Sequence, residues 1–232
     1  MPTPREQARD RTMADITRLG REHLAAYGAA GLSLRALARD LGVVSSAVYR
    51  YVPSRDDLLT LLVVDAYIEL GGAVERAEGH RRRADLLGRW RALAGGVRDW
   101  ALAEPARYGL LYGAPVPGYA APAGQTTPPG TAVIRLLLQL AVDAEAAGCV
   151  PAGSARVVPP ALRSDVQRIR AELGVTLSEQ MLVAATLAWV SLFGAVSFEV
   201  FGQYGADTFA RPDLLFAALV DLLAGALGLL SP

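Results

Sequence analysis

The 232-residue sequence predicts an all-α protein, an N-terminal three-helix head of helix-turn-helix type followed by a larger helical bundle. Three observations predict it. Apolar side chains recur at three- and four-residue spacing along most of the chain. No segment alternates apolar and polar residues with the period of two that a half-buried strand needs. Glycine, proline and Ser/Asp caps punctuate the helical stretches. A composition of 52% hydrophobic and 20% charged residues supplies enough apolar surface for a core and excludes a disordered or collagen-like chain.

From Arg9 to Tyr27 the side chains of Met13, Ile16, Leu24 and Tyr27, with Gly20 and His23 between them, share one face of a helix that Gly28 and Gly31 end. Ser33 is suited to cap a short second helix whose inward face is Leu34, Leu37, Ala38 and Leu41, and Gly42 supplies the left-handed residue that closes it. A third short helix runs from about Ser45 to Tyr51. Pro53 cannot continue it. Ser54, with Asp57 three residues later, makes a capping box for a fourth helix, and Asp56 and Asp57 complement the positive end of its dipole. From Arg55 to Ala77 that helix spans about 34 Å, enough to connect two domains. Further helices are expected at about 84–103, 105–112, 128–148, 159–173, 177–203 and 208–229. The segment Gly113–Gly130 holds four glycines and five prolines and reads as a loop, as does Gly148–Pro160. The chain is expected to divide into a small head, residues 1–53, and a larger helical body, residues 54–232.

Cysteine and histidine usage excludes some chemistry. Cys149 is the single cysteine, and His23 and His80 are the only histidines, so one chain can build neither a disulfide framework nor a Cys/His zinc site. No metal and no cofactor is expected. Residues 1–20 are studded with charge and lack an apolar run, so no secretory signal is expected and a cytoplasmic location fits. The formal charge is zero but uneven. Through Arg55, nine arginines stand against five acidic residues, and afterwards fourteen against eighteen. A basic head on an acidic body suits a polyanion contacted by the head alone.

The most informative stretch is Ser33–Val52, SLRALARDLGVVSSAVYRYV. Two short helices meeting through a tight turn need a small residue where their backbones cross, a glycine in the turn and an aliphatic plug on the second helix. Ala38, Gly42 and Val48 occupy those places with helix-turn-helix spacing. Such a second helix fits the major groove, where each base pair shows a distinct pattern of donors and acceptors. Tyr49, Arg50, Tyr51 and Arg55 add phenol and guanidinium groups of the kind that hold phosphates.

Over residues 9–65 the chain closely resembles the TetR family of bacterial transcriptional regulators. In that family a three-helix head is followed by a tyrosine-bearing recognition helix, a short turn and a basic residue opening helix four. The resemblance implies DNA contacts from Ser33, Arg35, Ser45, Ser46, Ala47, Tyr49, Arg50, Tyr51 and Arg55, with Ser45, Ser46 and Ala47 at the groove floor. Two residues depart from the family pattern. Val44 stands where a polar N-cap is common, and Ala47 where a threonine is common. Ala47 can touch a thymine methyl but cannot hydrogen-bond, which shifts base reading towards Arg35.

Residues 181–198, MLVAATLAWVSLFGAVSF, are uncharged and long enough to span a membrane. They lie between Glu179 and Glu199 without a flanking arginine cluster. Ala184, Ala188, Ser191 and Ala195 form a small-residue stripe, which favours a buried helix at an oligomer interface. With the apolar final helix it would form a four-helix seam about a two-fold axis, and the resemblance implies a homodimer of this kind. Two heads then read a palindrome. Trp189, Phe193 and Gly194 are similar to the Trp-His-Gly signature of one TetR-type C-terminal subgroup, with Phe193 replacing histidine.

Trp90, Trp100, Tyr108, Tyr112, Trp189 and Phe193 are candidates to line a pocket for an apolar small-molecule effector. The expected function is a ligand-responsive homodimeric repressor that binds double-stranded operator DNA and no membrane. A membrane-tethered helix-turn-helix protein is the alternative. An all-α enzyme is disfavoured, because no phosphate loop is present and no nucleophile in the body has a histidine partner.

Overall fold

The computed structural model describes residues 3–153 and 158–230, and every helix and contact below refers to these. Among them are eleven α-helices and no strand. The helices are α1 (Pro4–Tyr27), α2 (Leu34–Asp40), α3 (Ser45–Tyr49), α4 (Arg55–Gly79), α5 (Leu86–Ala103), α6 (Pro105–Tyr112), α7 (Ala123–Gly130), α8 (Ala132–Ala146), α9 (Arg163–Leu173), α10 (Glu179–Val200) and α11 (Pro212–Ala226). Short 3-10 turns occupy Ala29–Gly31 and Pro160–Leu162.

Local signals account for most boundaries. Helix α1 begins earlier than its apolar stripe because Thr3 and Glu6 form a reciprocal capping box ahead of Pro4. It ends at Gly28, whose φ is +67°. The Ala36 N–H donates to Ser33 Oγ (3.4 Å), and the Asp57 N–H to Ser54 Oγ (3.1 Å), so both expected caps are present. Helix α3 stops at Tyr49, two residues short of the expectation.

The segment expected to be a loop through Gly130 contains α7. The Gln125 and Thr126 amides bond the Pro122 carbonyl, and Pro128 and Pro129 sit inside the helix. Proline holds φ in the helical range but donates nothing and crowds the carbonyl four residues back, which fits a helix that stays short and ends at Gly130. Helix α8 accordingly starts at Ala132 rather than near residue 128.

By packing, the chain forms two compact units. The first comprises residues 1–69 and 103–130, and the second residues 70–102 and 131–232, so α4 passes from one to the other. The first unit closes over Ile16, Leu24, Leu37, Val48, Val52, Leu58 and Leu62, all buried. A Cβ on Gly20 would lie 3.0 Å from Leu62, so glycine permits α1 to approach α4 this closely. Charges pin α6 to the same unit. Arg107, 2% exposed, bonds Asp65 (2.9 Å) and pairs with Glu69 (2.8 Å) on α4, while Arg21 of α1 grips Asp65 through two bonds of 2.8 and 2.5 Å.

The second unit is built on Trp90, Leu93 and Val97 of α5, Leu137 and Ala141 of α8, and Met181, Ala185, Ala188 and Val196 of α10, each fully buried. The Trp90 indole N–H donates to the Val220 carbonyl of α11 (2.8 Å). Arg98 and Glu199 form a two-bond pair between α5 and α10 (2.7 and 2.5 Å).

Helix α10 is long and apolar enough to cross a membrane, and one face of it is buried within its unit. The small-residue stripe expected to meet a second chain lies partly on that buried face, since Ala184 is 7% and Ala188 0% exposed. Small side chains there let helices of the same chain pack closely. The apolar residues that face outward are instead Val183, Leu187, Val190 and Phe198, joined by Leu214 and Leu222 of α11.

Candidate nucleic-acid interface

Helices α2 and α3 cross where Ala38 (1% exposed) meets the turn, and Val48 (2% exposed) plugs the core from α3. Gly42 has φ +70°, and the Val43 amide bonds the Ala38 carbonyl (3.0 Å), so the turn folds back on the end of α2. His23, buried on α1, shares a 2.8 Å hydrogen bond with Asp40 at the end of α2. That bond, ahead of the weaker contribution of Arg39, holds the Asp40 carboxyl below the usual aspartate range. This lock on α2 was not legible in the sequence, because residues 17 apart meet only through the tertiary fold.

The nine expected contact residues divide into two groups. Arg35, Ser46, Tyr49 and Arg50 are exposed, with Tyr49 at 41%. Ser45 and Ala47 are half-buried beside them. The other three have internal partners. Ser33 Oγ caps α2, Tyr51 packs against the head core, and Arg55 donates to the Ala29 carbonyl (2.7 Å) and more weakly to Ala30. Arg55 thus ties the start of α4 to the turn after α1. Val44 is 70% exposed and makes no side-chain cap, in keeping with its departure from the polar residue common at this place.

Several cations of the head are already engaged. Arg18 pairs with Glu22, Arg21 with Asp65 and Arg39 with Asp40. Among the described residues, Arg35 and Arg50 of the motif, together with Arg5, Arg9 and Arg11 near the start of α1, make no ion pair or side-chain hydrogen bond. These are the cations free to meet phosphate without first breaking an internal bond.

The six aromatic residues expected in a ligand pocket are distributed. Tyr108 and Tyr112 belong to the first unit, with ring centroids 5.0 Å apart. Burial first, then the neighbouring Tyr67 and Tyr108, pushes the Tyr112 phenol up. Trp90 and Trp100 are buried in the core of the second unit. Trp189 packs against Phe193, with ring centroids 4.4 Å apart and planes tilted by 44°, and borders a cleft of about 240 Å³. No group of three or more metal-ligating side chains occurs among the described residues.

Comparison with known proteins agrees with this architecture. The family model for bacterial regulatory proteins of the tetR family matches residues 16–62, and that for the tetracyclin repressor-like C-terminal domain matches residues 90–223. HTH-type transcriptional regulators of Mycobacterium tuberculosis and Mycobacterium bovis are each 46% identical over 231 residues, covering 96% of this chain and 95% of theirs. The crystal structure of a protein described as regulatory, SCO4313, superposes with a TM-score of 0.76 at 32% identity, over 96% of this chain and all of that one. A protein of unknown function from Rhodococcus sp. RHA1 gives 0.67 at 25% identity, over 91% and 92% of the two chains. The family models and the mycobacterial relatives are those of transcriptional regulators. With its capped α2, its glycine turn and its Val48-plugged α3, the chain belongs to the TetR family of bacterial transcriptional regulators.

Proposed function

We propose that the protein is a homodimeric, cytoplasmic repressor that binds a palindromic operator and releases it when an apolar small molecule occupies its body. The observation that carries the DNA reading is the outward face of the motif. Arg35, Ser46, Tyr49 and Arg50 are exposed together, while Val48, Ala38 and the His23–Asp40 bond fix the helices that bear them. Arg35 reads a base edge. Tyr49 and Arg50 hold phosphates, Ser45, Ser46 and Ala47 lie at the groove floor, and Ser33, Tyr51 and Arg55 shape the surface through their internal bonds. In role, residues 1–53 are the head and residues 54–232 the regulatory part.

Pairing of two chains is supported by the outward apolar stripe Val183, Leu187 and Val190 on α10 with Leu214 and Leu222 on α11. Each copy contributes two helices to a four-helix seam. The effector is an apolar or amphipathic organic molecule, recognised by members of the aromatic set Trp90, Trp100, Tyr108, Tyr112, Trp189 and Phe193. Its binding shifts α4 and with it the spacing of the two heads. Coupling of this kind is reciprocal, so operator DNA weakens effector binding by the same factor.

The test is fluorescence anisotropy with duplexes from the gene's own flanking DNA at low ionic strength. Arg35→Ala should relax sequence preference by about 1–3 kcal/mol, whereas Tyr49→Phe should weaken all duplexes alike. Equal losses on specific and random duplex for both variants would remove the base-reading role, and no binding by the parent protein would remove the DNA reading. Sedimentation gives the state of association, and a monomer at every concentration contradicts the pairing step.

A further inference from the structure

We infer that the cleft between α8, α9 and α10 is a binding site for a small uncharged aromatic molecule that carries one hydrogen-bond acceptor. Its volume is about 240 Å³. Ile134 and Leu138 of α8 and Ile169 and Leu173 of α9 form two walls, and Leu182, Thr186 and Trp189 of α10 form the third. Drug-sized ligands occupy pockets of about 300–1,000 Å³, so this space suits one or two rings.

The lining chemistry narrows the class. No lining side chain carries a charge, so a charged ligand would lose its hydration without gaining a partner. The Thr186 hydroxyl is committed to the Leu182 carbonyl (2.8 Å). The Trp189 indole N–H has no hydrogen-bond partner among the described residues, unlike that of Trp90. Phe193, its ring centroid 4.4 Å from that of Trp189 and its plane tilted by 44°, supports the indole as a wall for another aromatic ring. A solvent-open donor without a protein partner, on a residue that lines this apolar, ring-bearing cleft, favours a neutral aromatic with a single acceptor. A larger hollow, of about 310 Å³, opens on Val183 and Leu187, which belong to the stripe assigned above to pairing.

Helix α8, one wall of the cleft, also touches α4. Helix α8 starts at Ala132, two residues before Ile134, and a Cβ on Gly71 of α4 would lie 2.8 Å from the Ala132 methyl. A ligand that wedges α8 therefore acts on α4 through a contact with no slack. This last step deepens the effector-release reading and rests on it, whereas the binding itself does not.

Titration calorimetry of the full chain with 2-naphthol tests the site. Saturable binding with a Kd tighter than about 1 mM is expected. Thr186→Trp fills the cleft from an exposed position and should weaken binding at least tenfold, with helicity and melting temperature holding as controls. If that variant is unstable, Ile169→Phe fills the same space from α9. Trp189→Phe shrinks the wall and removes the donor, so both ligands should weaken, 2-naphthol roughly three- to tenfold more than naphthalene, as for one hydrogen bond. Absence of saturable binding, or unchanged binding by a folded cleft-filling variant, overturns the site. Equal losses for naphthol and naphthalene overturn the role of the indole N–H. Naphthol binding that leaves operator affinity unchanged overturns the link to α4 while the site stands, and failure of the ligand-free protein to bind DNA is a failure of the DNA reading alone.

Discussion

Replacing Arg107 with leucine should cost about 2–3 kcal/mol, and the network around it shows why. The guanidinium is 2% exposed and serves Asp65 at 2.9 Å, Glu69 at 2.8 Å and, more distantly, Glu104 at 3.5 Å. Removing one member of a buried ion pair costs roughly 3–5 kcal/mol, because the partner is left as an uncompensated charge. Two features reduce that figure here. Arg21 still reaches Asp65 (2.5 Å) and Glu69 (3.1 Å), and these carboxylates, at 20% and 35% side-chain exposure, retain some water. Leucine also recovers part of the apolar contact made by the arginine stem. The assay is urea denaturation followed by far-UV circular dichroism, fitted for more than one transition because the chain packs as two units. In a double-mutant cycle, Glu69→Leu added to Arg107→Leu should recover about 1 kcal/mol by removing one stranded carboxylate. A single-variant cost below about 1 kcal/mol, or no recovery in the double variant, would refute the claim that this network fastens α6 to α1 and α4.

Gly42→Ala should destabilise the head by about 1–2 kcal/mol, since Gly42 has φ +70° and its Cβ would meet no atom within 4 Å. Gly42→Asn should lose less in the same denaturation experiment, and equal stability of the alanine variant and the parent would show that the turn relaxes. A second expectation concerns acid. Burial alone would raise the Asp143 carboxyl, but hydrogen bonds from Arg89, Gln139 and Arg83 hold it below the usual range. A depressed native value means stability that is complete above the ordinary aspartate value near pH 4 and fades as pH falls through the native one. Stability measured from pH 6 to pH 2 should therefore fall less steeply in Asp143→Asn than in the parent, and parallel curves would contradict it.

Much of the head was legible because its determinants are local. A cap at Ser33, a left-handed glycine at position 42 and apolar residues at helical spacing act within a few residues of where they stand. The contact set was less legible. Ser33, Tyr51 and Arg55 lie in the motif like Tyr49 and Arg50, yet they turn inward to α2, the core and the Ala29 carbonyl. Sequence places these residues in the motif, but the internal bonds and packing that also engage three of them are tertiary. The body shows the same limit. Trp90 and Trp189 have the same chemistry in sequence, but one is sealed in the core with its N–H satisfied, and the other borders a cleft with its N–H free among the described residues.

The even charge of the chain is compatible with DNA binding once pairing is considered. The acidic excess lies after residue 55, and among the described residues ten of the eighteen carboxylates there are in short-range ion pairs. Arg91 meets Asp221, Arg98 meets Glu199, Arg211 meets Asp213, and Arg89 holds both Glu78 and Asp143. Matched pairs project little field beyond the screening length of about 8 Å at physiological salt. The sign of the surface offered to a polyanion is therefore set by charges that lack partners rather than by the total. In the motif those charges are Arg35 and Arg50, with Arg5, Arg9 and Arg11 adding to them at the start of α1. A neutral protein can in this way present a basic head without depending on a basic composition.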